Sequence, residues 1–424
     1  MSSKTSLLVL SLVILGGLLA CAAPPTEPEV SPLIGDWRAV LTSPGGELPF
    51  TLRISQVGEA FEAQAINGSE ALDLSGVEVE DDRVVLAFDW YDSEITARLA
   101  EDGTAMSGQW RKTVPDGNST LPFAARRDDR RRFLSLAEAG IEGAAEAADS
   151  PAGQWSVEFV DEDGAEPAKA EFRQAGDRIH GTFLTPTGDY RFLEGAWEAG
   201  VLRLSTFDGA HAFLFQARLQ EDGSLVGDFW SRDTYHATWT AARSDETDLP
   251  DAWTQVGLTN DEGRFDFSFP DLAGETVSLG DERFADKVVL VDIFGSWCPN
   301  CNDKAPLLAQ WHREYGKQGL EIVGLAYEFS GDPERDGEQV RRFAERYGLE
   351  YLLLLAGTSD KSQAAATLPD LTAVVAFPTT VFIGRDGKVR KIFTGFTGPG
   401  TGEHYYGLVA EHTELIEGLL AEAG

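Results

Sequence analysis

Lys287-Val288-Val289-Leu290-Val291-Asp292-Ile293-Phe294 runs through Gly295-Ser296 into Trp297-Cys298-Pro299-Asn300-Cys301. The first eight residues are mostly β-branched or apolar and read as a buried strand. From about Asn302 the pattern turns helical, with Ala305, Leu307, Leu308 and Trp311 on one stripe. The spacing therefore predicts a strand-to-helix junction with a Cys-x-x-Cys at the helix N-terminus. Backbone N–H groups and the helix dipole there favour a thiolate, the reactive form of cysteine. Two intervening residues let the sulfurs close a small disulfide ring and reopen it. That is dithiol–disulfide exchange, with Cys298 expected as the more exposed, attacking thiol and Cys301 as the resolving one.

Other uses of a Cys-x-x-Cys fit less well. A structural zinc takes about four ligands; no second cysteine pair exists, and His312 stands alone on the helix. A structural disulfide across four residues would constrain little of the unfolded chain. No metal and no cofactor is expected.

The third cysteine, Cys21, ends an N-terminal segment with Lys4, an apolar run from Leu7 to Ala20, and Leu18-Leu19-Ala20-Cys21. The run is short for a transmembrane helix and has the parts of a secretory signal. A cysteine directly after the small residue resembles a bacterial lipobox. That resemblance implies a signal peptide over 1–20, lipidation at Cys21 and a membrane anchor, since several acyl chains hold stably where one does not. It also implies a periplasm-facing protein; Ala22 after the cysteine favours the outer membrane. Residues 21–32 read as a flexible Pro/Glu-rich tether. An uncleaved anchor or an ordinary secreted protein are the other readings. With each cysteine so assigned, no structural disulfide is expected.

The chain has 424 residues, with 35 Lys+Arg against 70 Asp+Glu. That acidity argues against nucleic acid and against electrostatic docking on anionic lipid. The length suggests three domains.

Two internal repeats precede the redox stretch. Gly35-Asp36-Trp37 matches Gly153-Gln154-Trp155, an offset of 118 (153 less 35), and Gln56-Val57-Gly58 matches Gln174-Ala175-Gly176 at the same offset. Ala97-Arg98-Leu99-Ala100-Glu101-Asp102-Gly103 matches Ala217-Arg218-Leu219-Gln220-Glu221-Asp222-Gly223, and Gly108-Gln109-Trp110 echoes Gly227-Asp228-Phe229-Trp230. Ordered matches at a near-constant offset indicate duplication. Both repeats, 33–127 and 150–243, alternate apolar and polar residues: Phe50, Leu52 and Ile54 against Thr51, Arg53 and Ser55; Phe213, Phe215 and Ala217 against Leu214, Gln216 and Arg218. Each predicts an all-β antiparallel barrel or sandwich of about six to eight strands. Trp37, Trp110, Trp155 and Trp230 are expected to plug barrel ends rather than face a ligand. The linker, 128–149, carries the densest basic cluster, from Arg126 to Arg132, and is expected to be solvated.

From 253 to 424 strands and helices alternate. The segment resembles thioredoxin-fold proteins of the TlpA/ResA-like group, on Lys-Val-Val-Leu-Val-Asp, Trp-Cys-Pro-Asn-Cys, Phe377-Pro378-Thr379-Thr380 and Arg385-Asp386-Gly387-Lys388. The whole chain is thus expected to be multidomain: two all-β repeats and then an α/β thioredoxin fold. The resemblance makes Pro378 the cis-proline beside the disulfide, where adjacent backbone pairs with a bound substrate strand. It makes Trp297 the shield of the attacking sulfur. It places Asp292 where thioredoxin has a buried acid able to take the proton of the resolving thiol. Glu328 lies near the position of an acid that some members place by the site.

The function expected is thiol–disulfide oxidoreduction by a lipid-anchored, extracytoplasmic protein. The resemblance gives the direction as reduction of exported protein disulfides, fed by a membrane thiol-electron donor. Oxidase and isomerase readings use the same residues. In a reading of another class, the β-repeats recruit a partner as a binding lipoprotein and the redox domain serves it. A peroxidase fits poorly, because Gly295-Ser296 stand where a Thr-x-x-Cys context is needed.

Overall fold

A computed structural model describes residues 31–143, 150–244 and 246–422. The signal segment, most of the tether, Cys21 and part of the linker lie outside the described residues. Among those described, no helix is long and apolar enough to cross a membrane.

Period-two alternation gives two antiparallel sheets of nine strands. In the second, Gly164–Ala175 pairs with both Gly153–Asp161 and Arg178–Thr185. That double pairing closes a ring of eight strands, with the short strand Gly188–Asp189 appended to Arg178–Thr185. In the first, Glu70–Asp73 pairs with Ala60–Asn67, whereas Gly76–Glu80 pairs with Arg83–Phe88. Between them Leu74 N–H bonds Ala63 O at 2.9 Å and Ser75 N–H bonds Ala87 O at 3.0 Å, stitching the two ends of the sheet. The duplication extends to side chains: Trp37 Nε1 donates to Leu33 O and Trp155 Nε1 to Pro151 O, each at 2.9 Å across four residues.

The interiors are filled. Phe159, Phe183, Tyr190, Phe215, Phe229 and Trp239 pack mostly edge-to-face in the second barrel. An eight-stranded barrel of this size is a packed core rather than a lumen. The strand Val201–Phe207 is buried on both faces. Its Phe207 enters the first barrel, 4.6 Å from the ring of Phe50 and 5.5 Å from those of Phe88 and Trp110. Ala212 and Leu214 join that same core, so Leu214 does not face solvent as the alternation suggests. Trp230 also departs from expectation. Phe229 takes the inward place that Trp110 holds in the first repeat, and Trp230 lies outside, against Gly45 of the first barrel. Arg132 is not solvated either; it is buried between the barrels on Ser205 O (2.8 Å) and Asn67 Oδ1 (3.1 Å).

The C-terminal part has a thioredoxin-like fold. Its five-stranded sheet runs Leu352–Thr358, Leu320–Glu328, Val288–Phe294, Thr379–Ile383, Val389–Thr394. The first three are parallel; Thr379–Ile383 runs antiparallel to the central strand, and Val389–Thr394 runs antiparallel to Thr379–Ile383. The helices are Pro299–Tyr315, Pro333–Tyr347, Lys361–Thr367 and Glu403–Ala421. Asp332 caps the second with bonds to the N–H groups of Glu334 and Arg335. Trp311 and Tyr315 of the first helix bond Thr413 and Glu417 of the last.

His412 on that last helix is buried among Phe393, Phe382, Trp253 and Trp311, and neither ring nitrogen has a partner. Burial first, and then the charge of Lys304, pushes it down to about 3. The folded state therefore keeps it neutral while the unfolded chain protonates it below about 6.5. Stability is unaffected by this group above that pH and falls as pH drops from about 6.5 towards 3, by on the order of 4 kcal/mol. His412→Phe is expected to remove that slope. Urea unfolding of both proteins at pH 7 and pH 4 checks it: an equal difference at the two pH values would sink the assignment.

Candidate redox site

The strand Val288–Phe294, buried throughout, delivers the chain to Gly295. A Cβ at 295 would overlap the Trp297 indole, so the turn needs glycine. Cys298 is the N-cap of the helix Pro299–Tyr315, with proline at its first position. Its Sγ accepts the N–H of Cys301 at 3.3 Å, and its thiol donates to Phe377 O at 3.3 Å. The Phe377–Pro378 bond is cis. Both cysteines are free thiols. Cys298 is 5% exposed and Cys301 2%, so the expected contrast in exposure is slight.

Both cysteines lie in the hydrophobic core of the C-terminal part, and both barrels make contacts beside them. Gly188 of the second barrel abuts Asn300, and a Cβ there would overlap the Asn300 amide. Phe396 N–H bonds Thr187 O at 3.3 Å, and Gly398 N–H bonds Asp189 Oδ2 at 2.6 Å. From the first barrel, Tyr91 and Asp92 share a small cleft with Trp297, Glu328 and Phe329. Gln339 bonds Trp90 O at 2.7 Å, and the Arg346 guanidinium lies 3.3 Å from the Trp90 ring centroid.

Asp292 is buried in mid-strand, and its Oδ1 pairs with Lys304 Nζ at 2.5 Å. Lys304 also donates to Thr380 Oγ1, two residues past the cis-proline. Burial raises the Asp292 carboxyl above its usual range, and Lys304 opposes the rise. The Cys301 thiol is pushed well up by burial, then by its contact with Cys298 and the charges of Cys298 and Asp292. A resolving thiol in such surroundings needs a base to ionise it.

Glu328 is buried at the end of its strand. Its carboxylate accepts Ser296 N–H at 2.8 Å and Ser296 Oγ at 2.7 Å. Burial pushes it up to about 7 against those bonds. It braces the turn before Cys298. Trp297 donates from Nε1 to Tyr327 O at 2.8 Å, stacks on Phe329 at 4.9 Å and meets Phe377 edge-on. Trp297, Cys298, Cys301, Asp292, Pro378 and Glu328 thus gather around one junction. Cys21 lies outside the described residues. Among those residues no cluster of His, Cys, Asp and Glu could hold a metal ion.

Sequence reasoning missed Lys304, Ser296 and the buried ion cluster at Arg191. Lys304 had a signal: it lies one turn past Cys301 and one turn before Leu307 and Leu308, on the buried stripe. Nothing local marks Arg191.

The Redoxin family matches residues 260–406, a segment that begins after both barrels. Thiol-disulfide oxidoreductase ResA of Halalkalibacterium halodurans is 30% identical over 156 residues, 37% of this chain and 76% of that protein. This chain belongs to that family of thiol–disulfide oxidoreductases. ResA of Geobacillus thermodenitrificans is 33% identical over 130 residues, 31% of this chain and 66% of that protein, so the chain spans about two thirds of its length. The thioredoxin-like protein YneN of Bacillus subtilis is 29% identical over 141 residues, 33% of this chain and 75% of that protein. Family membership accounts for the thioredoxin-like sheet and helices; the two barrels precede the matched Redoxin segment.

Proposed function

We propose that the chain reduces disulfides of exported proteins through Cys298 and Cys301, from a lipid anchor at Cys21 facing the periplasm of a bacterial membrane, the outer membrane in preference. The observation that carries this reading is the seat of Cys298 Sγ between Cys301 N–H and Phe377 O, beside cis Pro378. The Cys298 thiolate attacks a substrate disulfide, forming a mixed disulfide and expelling one substrate thiolate. Cys301 gives its proton to Asp292 and displaces the second substrate sulfur, closing the Cys298–Cys301 disulfide. A membrane thiol-electron donor then restores the dithiol. The backbone beside Pro378 is where a substrate strand would pair.

The filled barrel interiors leave the outer surfaces of the repeats as their working parts. Gly188 and Asp189 stand against the redox segment. This favours repeats that shape which partner reaches Cys298 over repeats that carry a ligand inside.

The test is the reduction potential of the pair, in a chain beginning after Cys21, by equilibration with glutathione or dithiothreitol. A value near or below the thioredoxin range of about −270 mV is expected. A value of about −120 to −180 mV would mark an oxidase or isomerase and overturn the reductive direction.

A further inference from the structure

We propose that the hairpin turn Thr185–Gly188 of the second barrel is a specificity element of the redox site. It closes one side of the approach to Cys298, so that the disulfides reduced are those on extended, unfolded segments and not those held on folded surfaces. This rests on the reading of Cys298, Cys301 and Pro378 given above and names the substrate class for it.

The turn is short and held at both ends. Thr185 lies opposite Gly188 in the pairing of Arg178–Thr185 with Gly188–Asp189, so Pro186 and Thr187 alone form the loop. Thr185 Oγ1 accepts the Gly188 N–H at 3.1 Å and donates to Gly188 O at 3.2 Å. Gln255 Nε2 donates to Pro186 O at 2.8 Å, and Asp189 receives the Gly398 N–H.

The tip rests on the borders of the site. Gly395 N–H bonds Pro378 O at 2.7 Å, and a Cβ at Gly395 would overlap the Thr187 backbone. Asn300, between the two cysteines in sequence, lies against Gly188. Gly188 does not sit in the left-handed region, so glycine answers here to the close approach alone. Among the described residues Asn300 Oδ1 is buried without a hydrogen-bond partner, which costs stability. Packing alone would not favour such a contact. On the Trp297 side, the first barrel brings Tyr91 and Asp92 to the cleft with Phe329. A body as wide as a folded domain must displace one of these flanks to bring its sulfur onto Cys298. A single extended strand needs a width of only about 5 Å.

The duplication shows the same turn put to two uses. At the offset of 118 (185 less 67, 188 less 70) the first repeat has Asn67-Gly68-Ser69-Glu70, also a hairpin, with Asn67 opposite Glu70. That copy docks on the second barrel: Asn67 Nδ2 donates to Phe207 O at 2.8 Å, and Gly68 N–H bonds Glu194 Oε2 at 3.0 Å. Each hairpin thus reaches the folded part that follows it, and for the second copy that part is the redox segment. Glu70 pairs with Arg191; its counterpart is Gly188, a residue without the Cβ that Asn300 would meet.

The test uses the full chain beginning after Cys21, pre-reduced. Its oxidation to the Cys298–Cys301 disulfide, with release of two substrate thiols, is followed in a single turnover. One substrate is a pair of short linear peptides joined by one disulfide and copied from insulin; the other is native insulin. Each rate is divided by that of dithiothreitol on the same disulfide, which removes intrinsic reactivity. The wild type is expected to favour the peptides by at least about tenfold, a discrimination of about 1.4 kcal/mol. Gly188→Leu puts a side chain where Asn300 lies and lifts the turn, so the ratio should fall towards one, chiefly through faster reduction of insulin. Gln255→Ala releases Pro186 O and should move the ratio the same way by less.

A wild-type ratio near one, or a ratio that neither variant lowers, would overturn the proposal while leaving the cysteine chemistry standing. Failure of both disulfides to oxidise the pre-reduced wild type would overturn the redox reading instead. Should Gly188→Leu not fold, Gln255→Ala decides by the same ratio.

Discussion

Cys298→Ser is expected to abolish disulfide reduction, and Cys301→Ser to stop it after a single covalent turnover. The asymmetry follows from the two environments. Cys298 sits at a helix N-cap with its sulfur against the Cys301 N–H and Phe377 O, on the side of the cis-proline where a substrate strand would lie. Cys301 is deeper, and burial together with its neighbours holds its thiol well above the ordinary range. On the proposed mechanism it makes a poor first attacker and resolves the mixed disulfide once Asp292 takes its proton. Loss of the nucleophile should cost at least about 10^4-fold in rate, within the range seen when a catalytic nucleophile is removed. Loss of the resolver should leave one equivalent of substrate thiol bound through Cys298. Non-reducing mass spectrometry of each variant after incubation with a disulfide peptide reads both outcomes. An adduct trapped on Cys301 in the Cys298→Ser protein would exchange the two roles; near-normal turnover by either variant would remove the pair from the mechanism.

Much of this site is written locally. A short run rich in β-branched residues reads as a buried strand, and a helical stripe directly after Cys301 places both sulfurs at a helix start. The hidden parts are those whose meaning depends on a distant partner. Period-two alternation puts Leu214 opposite Phe213 and Phe215, which is right for a solitary barrel. The first barrel then covers that outer face, and Phe207 enters its core. Trp230 aligns with Trp110 by residue type, yet the pairing of Gly108 with Ala97 and of Gly227 with Ala217 sets Phe229 inward and Trp230 outward. A one-residue difference in register is enough to reverse the face. The Arg126–Arg132 cluster looks solvated because charge runs usually are, but Arg132 finds Ser205 and Asn67 in the cleft between the repeats. Lys304 was legible only as an anomaly, a charge on a buried stripe; its explanation needed Asp292 twelve residues away in sequence.

Arg191→Met is expected to be the most damaging substitution outside the redox pair. Arg191 is buried at the junction of all three folded parts. It pairs with Glu70 of the first barrel, with Asp208 of the second at 3.0 Å, and with Asp303 of the redox helix at 2.5 Å. Its own N–H is held by Asp189, whose other oxygen receives Gly398 N–H. Burial works against the Arg191 charge, and the three carboxylates outweigh it, holding the guanidinium protonated. Removing it leaves Glu70, Asp208 and Asp303 buried with their main cation gone, a loss of about 3–5 kcal/mol. The deficit should depend on pH. Burial pushes Asp303 up to about 7 even with Arg191 beside it, while Asp189 and Glu70 add to the rise. In the wild type the folded state therefore keeps a proton that the unfolded chain loses above about 4. Stability from this group is present at low pH and falls as pH rises towards 7. Without Arg191 the carboxyl takes its proton at still higher pH, so acid relieves the variant more than the wild type. Urea unfolding should then show the full deficit at pH 7.5 and a smaller one at pH 5. A deficit under about 1 kcal/mol at pH 7.5 would mean that the junction is held by packing alone. Because Asp303 lies two residues beyond Cys301, on the helix whose N-cap is Cys298, loosening this junction should also speed alkylation of Cys298.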